Sequence, residues 1–299
     1  MKVLQNAGAD EVKALTFETP FFTAEKAKVA AKNLGIEIIV RDISEEHFQM
    51  LKNPPHGYGK NMNPCIDCHG MMFRIAKEIA EKKGFDIIAT GEVVGQRPFS
   101  QNKRALSLVE KIGGLENKIL RPLCAKNLAE TEYEKSGLIN RAKLLDFQGK
   151  SRKPQIALAA ELGLKDYPTP AGGCRLTDPG YSKRLKELLL HNPEATTRDA
   201  ELIKFGRVFF LGERSFVLIG RNQEENEKLE KTASKQDYLI EMTDFKGTVA
   251  LLCLKKSDEF EDLFSVVAEK VRGYSREGRE YAERIRFKIS IAVNEERVD

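Results

Sequence analysis

The stretch from Asp86 to Gln101, DIIATGEVVGQRPFSQ, decides how the first half of the chain is read. Residues 86–90 form a short, continuously apolar run, the pattern of a strand buried on both faces of a parallel sheet. The run ends in Thr90-Gly91, a loop with Gly95, Gln96 and Arg97 follows, and Ser100 opens a helical pattern that lasts to Ile112. In a doubly wound sheet ligands lie beyond the carboxyl ends of the strands, where this loop falls, and helix N-termini there attract phosphate. Working outward, residues 12–17, 36–40 and 119–123 read as further strands. Residues 24–34, stopped by Gly35, 65–83, stopped by Gly84, and 153–162, ahead of Gly163, read as helices. Strands alternating with helices predict an α/β domain built on a doubly wound parallel sheet.

Beyond Pro193 the texture changes. Residues 207–211 and 215–219 flank Gly212-Glu213-Arg214 as a β-hairpin. A helix over 223–232 follows, then a strand at 238–242 and another in VALLCL at 249–254. A helix at 258–272 and an alternating strand at 286–293 complete a smaller α+β domain. The boundary falls in the helical stretch 183–198, which predicts domains at 1–182 and 183–299. The 299 residues, 41% hydrophobic and 31% charged, suit two packed domains. Lys and Arg number 49 against 45 Asp and Glu, a net +4 that permits a basic RNA-binding face without demanding one. No apolar run reaches the ~18–20 residues a membrane span needs. The N-terminus lacks the apolar core of a secretory signal. Five cysteines, an odd number, argue against a disulfide framework, and the expected location is cytoplasmic.

Two cysteine-bearing segments carry the chemistry. In NPCIDCH, Asn63 is a good helix N-cap and Pro64 suits the first helical position, so Cys65 and Cys68 share one face of a first helical turn. A helix N-terminus stabilises thiolates, which suits sulfur chemistry or metal ligation; the plain alternative is two small buried hydrophobes. His69 reads as a bystander. In PTPAGGCRLTD, residues 168–178, two prolines and a Gly-Gly pair hold a loop whose backbone can approach a ligand closely, and Cys174 is its cysteine. Cys65, Cys68 and Cys174 could hold three irons of a [4Fe-4S] cluster, or form a redox pair with a persulfide carrier. Cys124 and Cys253 read as core residues.

From about Phe17 to Leu190 the chain resembles the adenine-nucleotide α-hydrolase domain of the PP-loop enzymes, in the tRNA 4-thiouridine synthase-like branch. ATGEVVGQRPFSQ, ILRPL, SRKPQIALAAELGL, NPCIDCH and PAGGCRLTD carry the likeness in order and spacing. From about Val208 to Tyr274 it resembles an RNA-binding module of the NFACT-R type, through IGRNQEENEKL, YLIEMTDFKGTVALL and Tyr274-Ser275. The resemblance implies an ATP-dependent tRNA sulfurtransferase. ATP, with Mg, adenylates an oxygen of a base, usually uridine, and sulfur from a separate donor displaces AMP. It implies that Thr90, Gly91 and Gln96 line the nucleotide and base site, with Phe17 on the adenine side. Cys65, Cys68 and Cys174 would hold the cluster or handle persulfide sulfur, and Arg221 and Asn222 would contact tRNA. Closing the turn before the 223–232 helix is the plainer role for those last two.

One departure is large. The family opens with a strand and an SGGxDS pyrophosphate loop, and no such sequence occurs in these residues. The first strand, central in that sheet, is expected to be missing through truncation, with poor ATP binding and no activity of this chain by itself. The competing reading is a non-catalytic RNA-binding protein with a degenerate nucleotide-binding domain. A ligase or amidating enzyme on the same fold is a third, but leaves the C-terminal module without a role.

Overall fold

The computed structural model describes residues 1–165, 173–243, 247–280 and 285–291. The 168–172 part of the proline-glycine loop and the 292–293 end of the expected last strand lie outside them. The chain divides into two compact units, Met1–Asp178 and Pro179–Asp299; the division expected at 182/183 lies four residues on, inside the helix Pro179–His191.

In the first unit, β1 (Ala14–Glu18) pairs in parallel with β2 (Ile38–Asp42), and β3 (Ile88–Ala89) pairs in parallel with β4 (Ile119–Leu120). The two pairs are separate sheets. The mixed α/β character is as expected, but one continuous doubly wound sheet is not formed among the described residues. The strands expected at 86–90 and 119–123 shrink to two residues each. Gly91 follows β3 closely, and Pro122, which has no N–H to donate, follows β4. Lys13, ahead of β1, reaches over the ring of Phe85, ahead of β3, at 5.8 Å. Both pairs therefore start at one end of the unit.

Helices cover these pairs. Glu25–Leu34 ends on Gly35 and Cys65–Lys83 ends on Gly84, both glycines left-handed with φ of 63° and 73°. Those stops were legible because only glycine adopts that conformation without strain. The helix Lys103–Ile112 starts two to three residues later than Ser100. Asn102 caps it instead, its side chain accepting from the Ala105 amide at 2.9 Å. One apolar cluster gathers Val3, Ala7, Leu120, Ala125, Ile139 and Leu144; another gathers Phe73, Val109, Leu115 and Ile119.

The second unit is one antiparallel sheet in the order β5-β6-β8-β7-β9. Its strands are β5 (Arg207–Leu211), β6 (Ser215–Ile219), β7 (Asp237–Met242), β8 (Ala250–Cys253) and β9 (Phe287–Ile291). The hairpin β5–β6 pairs Leu211 with Ser215. The helix Phe260–Gly273 packs Leu263, Val267 and Val271 onto Val217, Ile219, Ile240 and Leu252. On the other side the His191 ring meets Phe210 of β5 at 5.3 Å. All five residues of β6 are buried.

Candidate functional site

The helix Cys65–Lys83 begins one residue later than the proline rule suggests: Pro64 occupies the N-cap position and no side chain caps the helix. Asn63, expected as the cap, turns its amide to sulfur. Its Nδ2 donates to Cys65 Sγ at 3.2 Å, and its Oδ1 accepts from the Asn61 amide at 3.1 Å. The loop before the helix is pinned to the first turn by Asp67. The buried carboxylate accepts from the His56 amide at 3.0 Å and meets His56 Nδ1 at 2.6 Å.

Two long-range bonds hold the Cys174 segment, one to the loop before this turn and one to the loop after β1. Asn61 Nδ2 donates to the Thr177 carbonyl at 2.8 Å, and the Arg175 amide donates to the Phe21 carbonyl at 2.9 Å. The three thiols then sense one another. Burial, followed by the neighbouring Cys174 and Cys65, pushes the thiol of Cys68 far up. Cys174 is pushed up to about 11 by burial, with Cys65 adding to the shift; a backbone bond from Leu176 and the charge of Arg97 oppose it. Residues 109 positions apart in the chain thus come within electrostatic reach of one another, and of Arg97 in the loop after β3. Among the described residues no three His, Cys, Asp or Glu side chains are set to hold a metal ion. The donor set suits soft sulfur chemistry, but its present arrangement does not fit a bound cluster, and no step is derived through one.

His69 completes no metal site among the described residues and joins a buried polar chain instead. It stands one turn after Cys65 on the same helix, an i, i+4 pair on one face. Its Nδ1 bonds Glu92 Oε1 at 2.9 Å, and Glu92 Oε2 accepts from Arg121 Nε at 3.1 Å. Arg121 in turn pairs with Glu110. Glu92 and Arg121 are both buried. Burial pulls the Glu92 carboxyl up, but His69 and Arg121 together hold it below the usual carboxylate range. Sequence reading singled out neither Glu92 nor Arg121, because only folding sets them beside His69; ionisable types at 92 and 121 flanked by apolar runs were the available signal.

The loop after β3 is held open. Thr90 donates its amide to the Leu120 carbonyl at 2.9 Å, at the carboxyl end of β3. Gly91 is exposed, with open space where a Cβ would stand. Gln96 Nε2 donates to Gln155 Oε1 at 3.0 Å, tying the loop to the helix Lys153–Glu161. Phe17, half-buried, lies on β1 in the other parallel pair.

In the second unit, Arg221 and Asn222 serve local structure. The Arg221 guanidinium grips both oxygens of Glu225, and Asn222 Oδ1 accepts from the Glu225 amide at 2.9 Å to cap the helix Gln223–Thr232. Among the described residues no helix is long and apolar enough to cross a membrane.

Comparison with known proteins bears on both units. Residues 16–159 match the family described as thiamine biosynthesis protein (ThiI), and residues 206–298 match the NFACT protein RNA binding domain. No curated protein and no solved structure gives a significant match. The β1–β2 and β3–β4 pairs and the Cys65–Lys83 helix lie within the first match, and the five-stranded sheet lies within the second. The chain therefore carries a segment similar to the ThiI family, followed by a segment similar to the NFACT RNA-binding domain.

Proposed function

We propose that this chain acts in tRNA thiolation, as the sulfur-handling and RNA-binding part of an ATP-dependent sulfurtransferase. The observation that carries the reading is that Cys65, Cys68 and Cys174, drawn from two distant segments, lie near enough for their charges to interact, in a chain with segments similar to the ThiI family and to an RNA-binding domain. The reaction replaces a carbonyl oxygen of a base, uridine foremost, by sulfur. ATP with Mg adenylates that oxygen and releases pyrophosphate; the outer sulfur of a cysteine persulfide attacks the ring carbon and AMP departs with the oxygen, while a second cysteine thiolate attacks the inner sulfur to form a disulfide that an external dithiol reductant reopens. No SGGxDS sequence occurs in these residues, so the adenylation is not assigned to side chains here. Thr90, Gly91 and Gln96, beyond β3, and Phe17 on β1 are the positions proposed for the nucleotide and base. On this reading the two parallel pairs belong to a doubly wound nucleotide-binding sheet. Sulfur arrives from a separate donor, held as a persulfide on one of the three cysteines, and the setting is cytoplasmic.

The sulfur step is testable apart from adenylation. The full chain is purified without oxygen, exposed to a cysteine desulfurase with cysteine, and assayed for iron, acid-labile sulfide and sulfur added to each cysteine. Sulfur bound at Cys65, Cys68 or Cys174 in the wild type and lost in Cys174→Ala supports the reading. A chain that takes up no sulfur in either form overturns it and leaves a non-catalytic RNA-binding protein.

A further inference from the structure

Residues 179–299 hold 22 Lys and Arg against 23 Asp and Glu, so the RNA-binding domain is not basic as a whole. Contact with a polyanion must then come from a local surface where cations stand without carboxylates. Several cations of this unit do not qualify, because each stands in an ion pair. Arg198 pairs with Asp237, Arg214 with Glu194, Arg221 with Glu225, Lys228 with Glu224, and Lys255 with Asp199.

One cluster differs. Arg207 and Phe209 lie two residues apart on one face of β5, an edge strand. Lys270 and Tyr274 lie four apart at the end of the helix Phe260–Gly273. The Arg207 guanidinium sits 4.3 Å from the Tyr274 ring centre, and Lys270 Nζ sits 4.3 Å from that of Phe209. The two rings are 6.0 Å apart. Among the described residues neither cation has a carboxylate partner, and Tyr274 is 43% exposed. The neighbouring sequence is also biased, residues 270–288 carrying seven Lys and Arg against three Glu.

We propose that Arg207, Tyr274, Phe209 and Lys270 form a binding surface for single-stranded RNA. Tyr274 offers a stacking face for a base, and Arg207 and Lys270, held on the rings, face the phosphates. The alternation of cation and ring matches the repeat of phosphate and base along a single strand. This rests on the RNA-binding reading of the domain and names its contact residues.

The test is a fluorescence anisotropy titration of the full chain against a labelled single-stranded RNA across a salt series, with thermal melting as the folding control. Tyr274→Ala is expected to weaken binding about tenfold, in the range of a lost base stack, while Tyr274→Phe binds like the wild type. Arg207→Gln and Lys270→Gln should each weaken binding and lower the salt slope by roughly 0.7, the value for one phosphate contact on a single strand. Lys228→Gln, whose charge is paired with Glu224, should change neither affinity nor slope. Folded Arg207→Gln and Lys270→Gln variants with unchanged affinity and slope overturn this surface and leave RNA binding standing. A wild type that binds no RNA overturns both.

Discussion

In the second unit all five residues of β6 are buried, whereas in the first unit no residue of β1 is fully so. The difference follows from architecture. Strand β6 is interior to a single antiparallel sheet with helices against it, so Phe216, Val217, Leu218 and Ile219 bury their side chains on either face. Strands β1 and β3 each have one partner among the described residues. The first unit packs several smaller apolar clusters and adds polar contacts between separate segments: Asp67 with His56, Asn61 with the Thr177 carbonyl, and Glu92 between His69 and Arg121. One unit is held by an apolar core; the other holds its cysteines by hydrogen bonds and buried charge, which are directional but costly to leave unpaired.

The sharpest way to break this contrast is Arg121→Ala. It leaves Glu92 buried without its guanidinium, and the first unit is expected to lose about 3–5 kcal/mol. Urea unfolding followed by a probe in each unit should show the loss in the first unit only. The converse is Leu252→Ala, which hollows the core of the second unit for roughly 2–5 kcal/mol and spares the first. A matching loss in both units from either variant would mean that the two unfold as one.

His47 sharpens the contrast through pH. It is fully buried among Phe21, Phe22 and Phe48, neither ring nitrogen has a hydrogen-bond partner, and burial pushes its pKa down to about 4. Between pH 6.5 and about 4 the unfolded chain binds a proton that the folded one refuses, so stability falls as pH falls. The loss amounts to roughly 3 kcal/mol by pH 4. His47→Leu should flatten this acid limb of the first unit, as read by denaturant midpoints at pH 7, 5.5 and 4.5. An unchanged limb would assign it to other groups.

The smallest expected effect is in the second unit. Burial pulls Asp258 up, but the amides of Glu213, Arg214 and Ser215 and the Ser215 hydroxyl hold it at about 2. Its depressed value means stability present above about pH 4 and lost as pH falls toward 2. Asp258→Ala should cost about 2 kcal/mol at neutral pH, while the first unit melts unchanged. Gly212 belongs to the same device: at φ 57° a Cβ there would stand 2.1 Å from Asp258 Oδ1.

Local rules carried far through this chain where the cause is local. The helix Cys65–Lys83, its stop at Gly84, the helix Gln223–Thr232 and the hairpin around residues 212–214 follow from periodicity, glycine and turn chemistry within a few residues. The same rules overextended β3 and β4, since strand length depends on partners as well as on apolar runs. They also misassigned Asn63, whose amide serves Cys65 rather than the helix end.

What the sequence determined by itself was the alternation of strands and helices in the first unit, the change of texture toward the second, and the residue types able to do sulfur chemistry. All of these are written in patterns a few residues wide. What tertiary structure alone decided is which of those residues meet. Cys174 is carried to Cys65 and Cys68, Glu92 and Arg121 gather behind His69, and Arg207 comes to lie over Tyr274. Charge, burial and stacking act over a few ångströms of space whatever the separation along the chain, so no local pattern could have announced them.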